Sequence, residues 1–339
     1  MFFRVCVVNS NTFGKYVPEV LSVLSSYGEV HMLSVAPNSN YETLIEQLHD
    51  FDAIIASTTP RYSREFMECA MRLKIISRHG IGVDNIDIEA ATENGILVTA
   101  VPRELEREAV AEHAVALLLA AVRRIVAAHV KTVEGGWKER GRFIGFELTG
   151  KNVLVVGFGN IGSRVSEILT GGFGARVSIF DPYVSKSSVE AKGFKYVTNF
   201  LEGLSDAHVI TFHVPLTEET RHLMDEDAFK KVKSGVIIIN TSRGEVIDTR
   251  ALVEALERGV VGAAGLDVFE DEPLQPGSPL TRFENVVLTP HISAYTLEGL
   301  RAMDMSVTDD VISVFKGKTP KGLVNKEVIL SKMLRVKLS

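Results

Sequence analysis

Short apolar runs recur along this chain, each followed by a stretch in which apolar positions fall three or four residues apart. In the first hundred residues the runs lie at 5–8, 30–33, 53–56, 74–77 and 96–98. The helical spacing falls at 17–26, 41–48, 63–71 and 86–93. Strands alternating with amphipathic helices predict a parallel sheet covered by helices. A second series repeats the pattern, with strands expected at 153–156, 177–180, 208–212, 235–240, 263–266 and 286–288, then a helix over 296–315. Between the series, residues 105–133 read as one long helix of Ala, Leu, Val and Glu, halted by Gly135-Gly136. Its middle is apolar almost all round, so it is expected to be buried between domains or subunits.

The 339 residues suffice for two domains, each with its own core. A content of 45% hydrophobic and 24% charged residues places the chain among globular proteins. A net charge of −6 argues against a broad nucleic-acid-binding surface. Cys6 and Cys69 sit in apolar contexts without metal-ligand spacing and are expected as buried free thiols. Few cysteines and no signal sequence point to the cytoplasm. The opening run 2–8 is too short to cross a membrane and reads as a strand. Lys316, Lys318, Lys321, Lys326, Lys332, Arg335 and Lys337 make the tail basic, which reads as a solvated surface.

The strand at 153–156 runs into Gly157-Phe158-Gly159-Asn160-Ile161-Gly162, and the next strand ends in Asp181. The first glycine permits the sharp turn, the second lets backbone approach a pyrophosphate, and the third lets the helix pack close to the sheet. The helix start at Asn160 and Ile161 offers free N–H groups and a partial positive charge to phosphates. Asp181 stands roughly 20 residues beyond the last glycine, where an acid binds ribose hydroxyls. That acid favours NAD over NADP, and the only nearby cation is Lys186. The turn Gly80-Ile81-Gly82 lacks the third glycine and the acid, so it is a backbone-exposing loop and not a second nucleotide site. The fold class predicted is α/β, with two Rossmann-like, doubly wound parallel-sheet domains. A complete nucleotide domain in the middle leaves the helix at 296–315 free to rejoin the first domain.

In open parallel sheets, ligands bind beyond the carboxyl ends of the strands. Three such ends carry chemistry: Arg243 after 236–240, the acids Asp267, Glu270, Asp271 and Glu272 after 263–266, and His291 after 286–288. Arginine offers a fork to a carboxylate or carbonyl. Histidine can give a proton to an oxygen as hydride reaches its carbon, and a neighbouring carboxylate favours the imidazolium. Each residue alone has an ordinary explanation, since strand-end arginines are usually surface residues and histidines among apolar neighbours usually structural. His213 also ends a strand, and spacing alone does not rank it below His291. His113, in an apolar helical context, reads as structural.

Taken together, Gly80-Ile81-Gly82-Val83-Asp84-Asn85-Ile86-Asp87, the glycine fingerprint, His213-Val214-Pro215-Leu216-Thr217, the segment from Asn240 to Asp248, Gly265-Leu266-Asp267-Val268-Phe269 with Glu272-Pro273, and Thr289-Pro290-His291 resemble the D-2-hydroxyacid dehydrogenases. That family includes phosphoglycerate dehydrogenases, glyoxylate and hydroxypyruvate reductases and D-lactate dehydrogenases. The resemblance implies that Arg243 binds substrate, His291 is the acid/base and Glu272 its partner. It implies that His213, Val214, Pro215 and Thr241 line NAD, that Asp267 sits near the nicotinamide, and that backbone at Ile81 and Gly82 receives the substrate carboxylate. It implies a discontinuous catalytic domain (1–104 with 292–339), a nucleotide domain (105–291) and a homodimer. Glutamate at 272 departs from the glutamine of formate dehydrogenases.

Arg78 matches an arginine that phosphoglycerate dehydrogenases use near the phosphate, and Lys138, Arg140 and Arg142 follow Trp137 in a loop that could reach a neighbouring subunit's site. These cations put 3-phosphoglycerate first among substrates, with glyoxylate or hydroxypyruvate next. Ala56, where those enzymes tend to carry another arginine, speaks against it. A reading from a different class is an NAD(H)-sensing co-repressor, since some such proteins keep the dehydrogenase fold and its Arg, Glu and His.

Overall fold

The computed structural model describes residues 2–338. They divide into two compact units: residues up to Glu106 together with those from Tyr295 onward, and Arg107–Ala294. Each unit is built on one all-parallel sheet with helices packed against it, the α/β class expected.

In the first unit the strands are β1 (Phe3–Val8), β2 (Gly28–Leu33), β3 (Ala53–Ala56), β4 (Ile75–Arg78) and β5 (Leu97–Ala100), in the order β2-β1-β3-β4-β5. Chain order reverses between β1 and β3, where an open α/β sheet leaves a crevice at its carboxyl edge. All four residues of β3, of β4 and of β5 are buried, so both faces of these strands are covered and their residues do not alternate between buried and solvated.

The C-terminal segment completes this unit. Helix Leu297–Phe315 starts at Thr296, whose side chain accepts the Gly299 N–H at 2.9 Å. Phe315 stacks on Phe3 with ring centroids 3.8 Å apart. Asn325, buried, accepts the Val98 N–H and donates to the Ile96 carbonyl and the Thr92 hydroxyl. The basic tail is not uniformly solvated: Arg335 is half-buried and donates to the carbonyls of Met67, Ala70 and Leu73. Met67 lies in the last turn of helix Arg64–Cys69, whose carbonyls lack intrahelical partners, and a guanidinium can serve several acceptors at once. Burial pulls that arginine below its ordinary pKa. Cys6 is buried, and burial pushes its thiol up to about 12. Cys69 is exposed, contrary to expectation, because Phe66, Met67 and Ala70 take the inward face of its helix.

The second unit contains β6 (Asn152–Val156), β7 (Arg176–Phe180), β8 (Lys195–Tyr196), β9 (Val209–Phe212), β10 (Val236–Asn240), β11 (Val261–Leu266) and β12 (Val286–Leu288). Their order is β12-β11-β10-β9-β6-β7-β8, so the reversal falls between β6 and β9. All five residues of β10 are buried. Its three isoleucines each contribute on the order of 1.5–3 kcal/mol by leaving water. Helix Arg107–Val122 packs on this sheet through residues such as Ala111, Ala114, Leu117 and Leu118. Gly265 of β11 allows the approach: a Cβ there would stand 3.0 Å from the Leu117 side chain.

The long helix expected over 105–133 is two helices, Arg107–Val122 and Ile125–Val133, bent by 59°. The break is at Arg124, in the left-handed region at φ 50°. No glycine or proline marks it, and apolar residues continue past it, so the pattern read straight through. The first helix buries half its residues and the second none. Among the described residues no single helix is long and apolar enough to cross a membrane.

Candidate active site

The glycine turn between β6 and helix Asn160–Phe173 lies at the reversal of strand order. Each glycine answers a different demand. At Gly157, with φ 92°, a Cβ would meet the His213 carbonyl oxygen at 2.5 Å, and at Gly162 one would meet the Gly157 carbonyl oxygen at 2.0 Å. At Gly159 a Cβ would meet nothing within 4 Å, so its bareness serves no packing within the unit. The helix begins at Asn160 and Ile161 with no side-chain cap, leaving its first amides for an anion. An open glycine beside an uncapped helix start fits a pyrophosphate.

Asp181 follows β7 and is held by two backbone amides, Phe158 N–H at 2.8 Å and Tyr183 N–H at 2.9 Å. Each carboxylate oxygen keeps a lone pair for a hydroxyl. The Tyr183 hydroxyl donates to Glu219, so the loops after β7 and β9 meet near this acid. His213 follows β9, shares a hydrogen bond of 2.9 Å with Thr211, and burial pulls its imidazole down to about 3. Val214 is half-buried and touches the turn, its Cγ1 standing 2.8 Å from where a Gly157 Cβ would be. Pro215 is exposed, and its carbonyl accepts the Thr220 hydroxyl at 2.7 Å. Among the described residues the buried His213 Nδ1 and Thr241 Oγ1 have no hydrogen-bond partner, as expected of atoms that line a polar ligand.

The Arg, Glu and His positions cluster along one edge of this sheet. Strands β10, β11 and β12 are neighbours, with Asn240 opposite Leu266 and Leu266 opposite Leu288. Arg243, Asp267 and His291 follow those residues within three positions. Glu272 Oε2 lies 2.7 Å from His291 Nδ1, and its Oε1 accepts the Phe269 N–H at 3.1 Å. His291 sits at φ 53°, a conformation non-glycine residues seldom adopt, with its N–H donating to the Asp267 carbonyl. Arg243 is half-buried and its guanidinium donates to the Ser242 carbonyl at 2.6 Å. The Asn240 amide donates to the Arg243 carbonyl, bracing that turn.

Asp267 is fully buried and accepts the Thr289 hydroxyl at 2.7 Å and the Ile292 and Ser293 amides at 2.9 Å. Burial alone would raise its pKa, but the hydrogen bonds from His113, Thr289 and Ile292 outweigh that and hold it below the ordinary value. Asp267 therefore shapes the segment that carries His291. His113, read from sequence as a structural residue, reaches this cluster, its Nε2 3.0 Å from Thr289 Oγ1 and 3.5 Å from Asp267. A polar residue on an otherwise buried helix face was its only signal.

Arg78, Ile81 and Gly82 belong to the first unit, at the end of β4. Arg78 is 6% exposed and donates to the adjacent His79 carbonyl. Its Nη1 stands 2.7 Å from where a Gly80 Cβ would be, so the guanidinium lies beneath the glycine turn. Ile81 and Gly82 are half-buried. His79 is buried, its Nε2 2.8 Å from Asp304 of helix Leu297–Phe315, whose other oxygen accepts the Gly14 N–H.

A family model described as D-isomer specific 2-hydroxyacid dehydrogenase, NAD binding domain, matches residues 115–293. Glyoxylate reductase of Aeropyrum pernix is 40% identical over 318 residues, covering 92% of this chain and 94% of that protein. D-3-phosphoglycerate dehydrogenase of Archaeoglobus fulgidus is 41% identical over 86% of this chain, which spans 55% of that longer protein. The crystal structure of D-lactate dehydrogenase from Aquifex aeolicus, complexed with NAD and lactic acid, matches with a TM-score of 0.80 and 29% identity. It covers 92% of this chain and 96% of that one.

Proposed function

Because the chain belongs to the D-isomer specific 2-hydroxyacid dehydrogenase family and is an NAD-dependent oxidoreductase acting on CH–OH groups, we propose that it reduces a short 2-oxo acid of the glyoxylate or hydroxypyruvate kind. The observation that carries the mechanism is the 2.7 Å pair of His291 and Glu272 at a strand end beside the Arg243 turn. Glu272 accepts from Nδ1–H and fixes the ring, which makes Nε2 the nitrogen that gives the proton to the carbonyl oxygen and recovers it in reverse. Arg243 draws the carboxylate and carbonyl into place with a charged fork. NAD, when bound as NADH, supplies the hydride; with the proton from His291 the 2-oxo acid becomes a 2-hydroxy acid. Gly157, Gly159 and Gly162 with the amides of Asn160 and Ile161 would hold the pyrophosphate and Asp181 the ribose. His213, Val214, Pro215 and Thr241 would line the rest, with Asp267 ordering the nicotinamide side.

The cations put 3-phosphoglycerate first in the sequence. With the Arg78 guanidinium buried under its own turn, the shorter acids come first here, and 3-phosphoglycerate is the second reading, favoured by the phosphoglycerate dehydrogenase relatives. NADH oxidation by purified protein at low concentration, with glyoxylate, hydroxypyruvate and phosphohydroxypyruvate in parallel, separates the two. The short acids should show the higher kcat/KM, and a preference for the phosphorylated acid reverses the order. No turnover with any 2-oxo acid would leave NAD(H) sensing as the function. Arg243→Ala removes hydrogen bonds worth about 1.5–3 kcal/mol each to a charged group, roughly a tenfold to hundredfold loss of kcat/KM per bond. His291→Gln should depress kcat while NADH still binds; if binding is lost with the rate, the ring is structural.

The protein is further proposed to pair with a second copy. Helix Ile125–Val133 and the segment after it expose Ile125, Val126, Val130, Val133, Trp137 and Ile144, with Val133 at 74% and Ile144 at 79%. So many exposed large apolar side chains within one short segment are unusual on a monomer. Lys131 pairs with Glu134 and Arg142 with Glu139, which neutralises two of the cations beside this face.

A further inference from the structure

Outside the His291–Glu272 pair, the second unit holds another imidazole and carboxylate in close contact. His222 Nε2 lies 2.6 Å from Glu270 Oε1. The other oxygen of Glu270 accepts the Thr249 N–H at 2.8 Å. Thr249 is the first residue of helix Thr249–Glu257, where a negative charge is favoured by the helix dipole. Neither His222 nor Glu270 has a part in the mechanism described above. Their position is what matters, because Glu270 stands two residues before Glu272 and Thr249 six residues after Arg243.

Three segments converge on this carboxylate. His222 N–H donates to the Glu245 carbonyl, Met224 N–H to Val246, and Asp248 N–H back to Met224, so 222–224 is zipped to the stretch leaving the Arg243 turn. Gly244 presses directly against the third segment: a Cβ there would fall 1.9 Å from the Phe269 carbonyl carbon and 2.4 Å from the Glu270 nitrogen. Phe269 in turn donates its N–H to Glu272. The Arg243 turn and the Glu272 turn thus touch backbone to backbone; the Asp267 N–H donates to the Asn240 carbonyl where they leave the sheet, and the Glu270 carboxylate joins one turn to the first amide of the helix that follows the other. His222 holds that carboxylate from the far side while sitting at φ 49°, so the zipper dictates its placement against its own backbone preference.

We infer that Glu270, steadied by His222, is a positioning residue that keeps the Arg243 turn and the Glu272 turn in register, so that the substrate-binding fork and the His291 partner face the same reacting group. This rests on the mechanism proposed above. An error of about 1 Å in such placement costs roughly a hundredfold in rate. The test compares Glu270→Ala, Glu270→Gln and the parent for kcat and KM with a 2-oxo acid, for NADH affinity by fluorescence titration, and for Tm. Glutamine keeps an acceptor for the Thr249 amide; alanine does not. Glu270→Ala should lower kcat by about tenfold to a hundredfold, with NADH affinity within about twofold and KM changed far less than kcat, and Glu270→Gln should recover most of the rate. An unaltered kcat in Glu270→Ala overturns the inference. A loss of kcat, NADH affinity and Tm together, without recovery in Glu270→Gln, overturns it also, because the carboxylate then serves the fold alone. Arg243→Ala and His291→Gln run alongside: if they too keep full rate, the mechanism is what fails; if they lose it while Glu270→Ala does not, only the positioning role fails.

Discussion

His213 and His291 are both imidazoles at the ends of parallel strands, and spacing in the sequence left them equal. Their surroundings separate them. His291 has a carboxylate 2.7 Å from its Nδ1, whereas His213 has a hydroxyl partner and a desolvated ring. A histidine pulled to about 3 stays neutral across the physiological range, so it can line a neutral ligand but holds no spare proton to give. The same shift predicts how stability depends on pH. Below the ordinary value of 6.5 the unfolded chain takes up a proton at this position, while the folded chain resists until about 3, so stability falls as pH falls through that window. His213→Gln removes the group, and the variant should lose less stability than the parent between pH 7 and pH 4.5 in urea unfolding. Equal losses would show that the ring is not held desolvated. What the sequence made legible at this scale was residue type near strand ends: Arg243 and His291 each stand three positions beyond a run that reads as a strand, while Glu272 lay within a cluster of acids and was singled out only by the family resemblance. His113 was illegible because its partner Thr289 lies 176 positions away, a contact no local pattern encodes.

Elements were read best where burial was two-sided. The strands β3, β9 and β10 announce themselves as largely apolar runs between turn residues, and their ends fall within one residue of the expected ranges. The break at Arg124 was invisible because the left-handed residue is an arginine and not a glycine, and because the second helix stays apolar although it buries nothing in its own unit. The glycine turn gives a sharper test of reading. Gly159 and Gly162 look equivalent in the motif, yet one faces open space and the other a carbonyl oxygen at 2.0 Å. Gly159, at φ −75°, tolerates a side chain in its backbone conformation. Gly159→Ala should therefore keep the parent's Tm while weakening NADH binding, because the methyl group enters the space given to phosphate. Gly162→Ala should lower Tm as well, since helix and turn must separate. Thermal unfolding with and without NADH distinguishes them; an equal loss of Tm in both variants would contradict this division of roles.

At the scale of the whole molecule, the sheet in each unit accounts for the apolar runs, but not for the face of helix Ile125–Val133. A helix without one buried residue, carrying Ile125, Val126, Val130 and Val133 outward, has no reason within its own unit to remain so apolar. Tail and helix each depart from the expectation: Arg335 was taken for solvated surface and is tied to three carbonyls, while 105–133 was expected as one helix buried between domains or subunits and its second half, 125–133, is exposed within its own unit. Both differences share a cause, since composition reports what a segment prefers and not which surface answers it. If the answer for 125–133 is a second copy, a charge at the centre of the face should be decisive. In a two-fold interface Val130 of one chain lies near the same patch of the other, so Val130→Glu places two like charges in an apolar contact. Because Val130 is 49% exposed within its own unit, the substitution leaves the fold of the monomer intact. Sedimentation velocity should find the parent at twice the chain mass and Val130→Glu at one, with far-UV circular dichroism unchanged. A parent that sediments as a single chain at micromolar concentration would show that the exposed face serves something other than pairing.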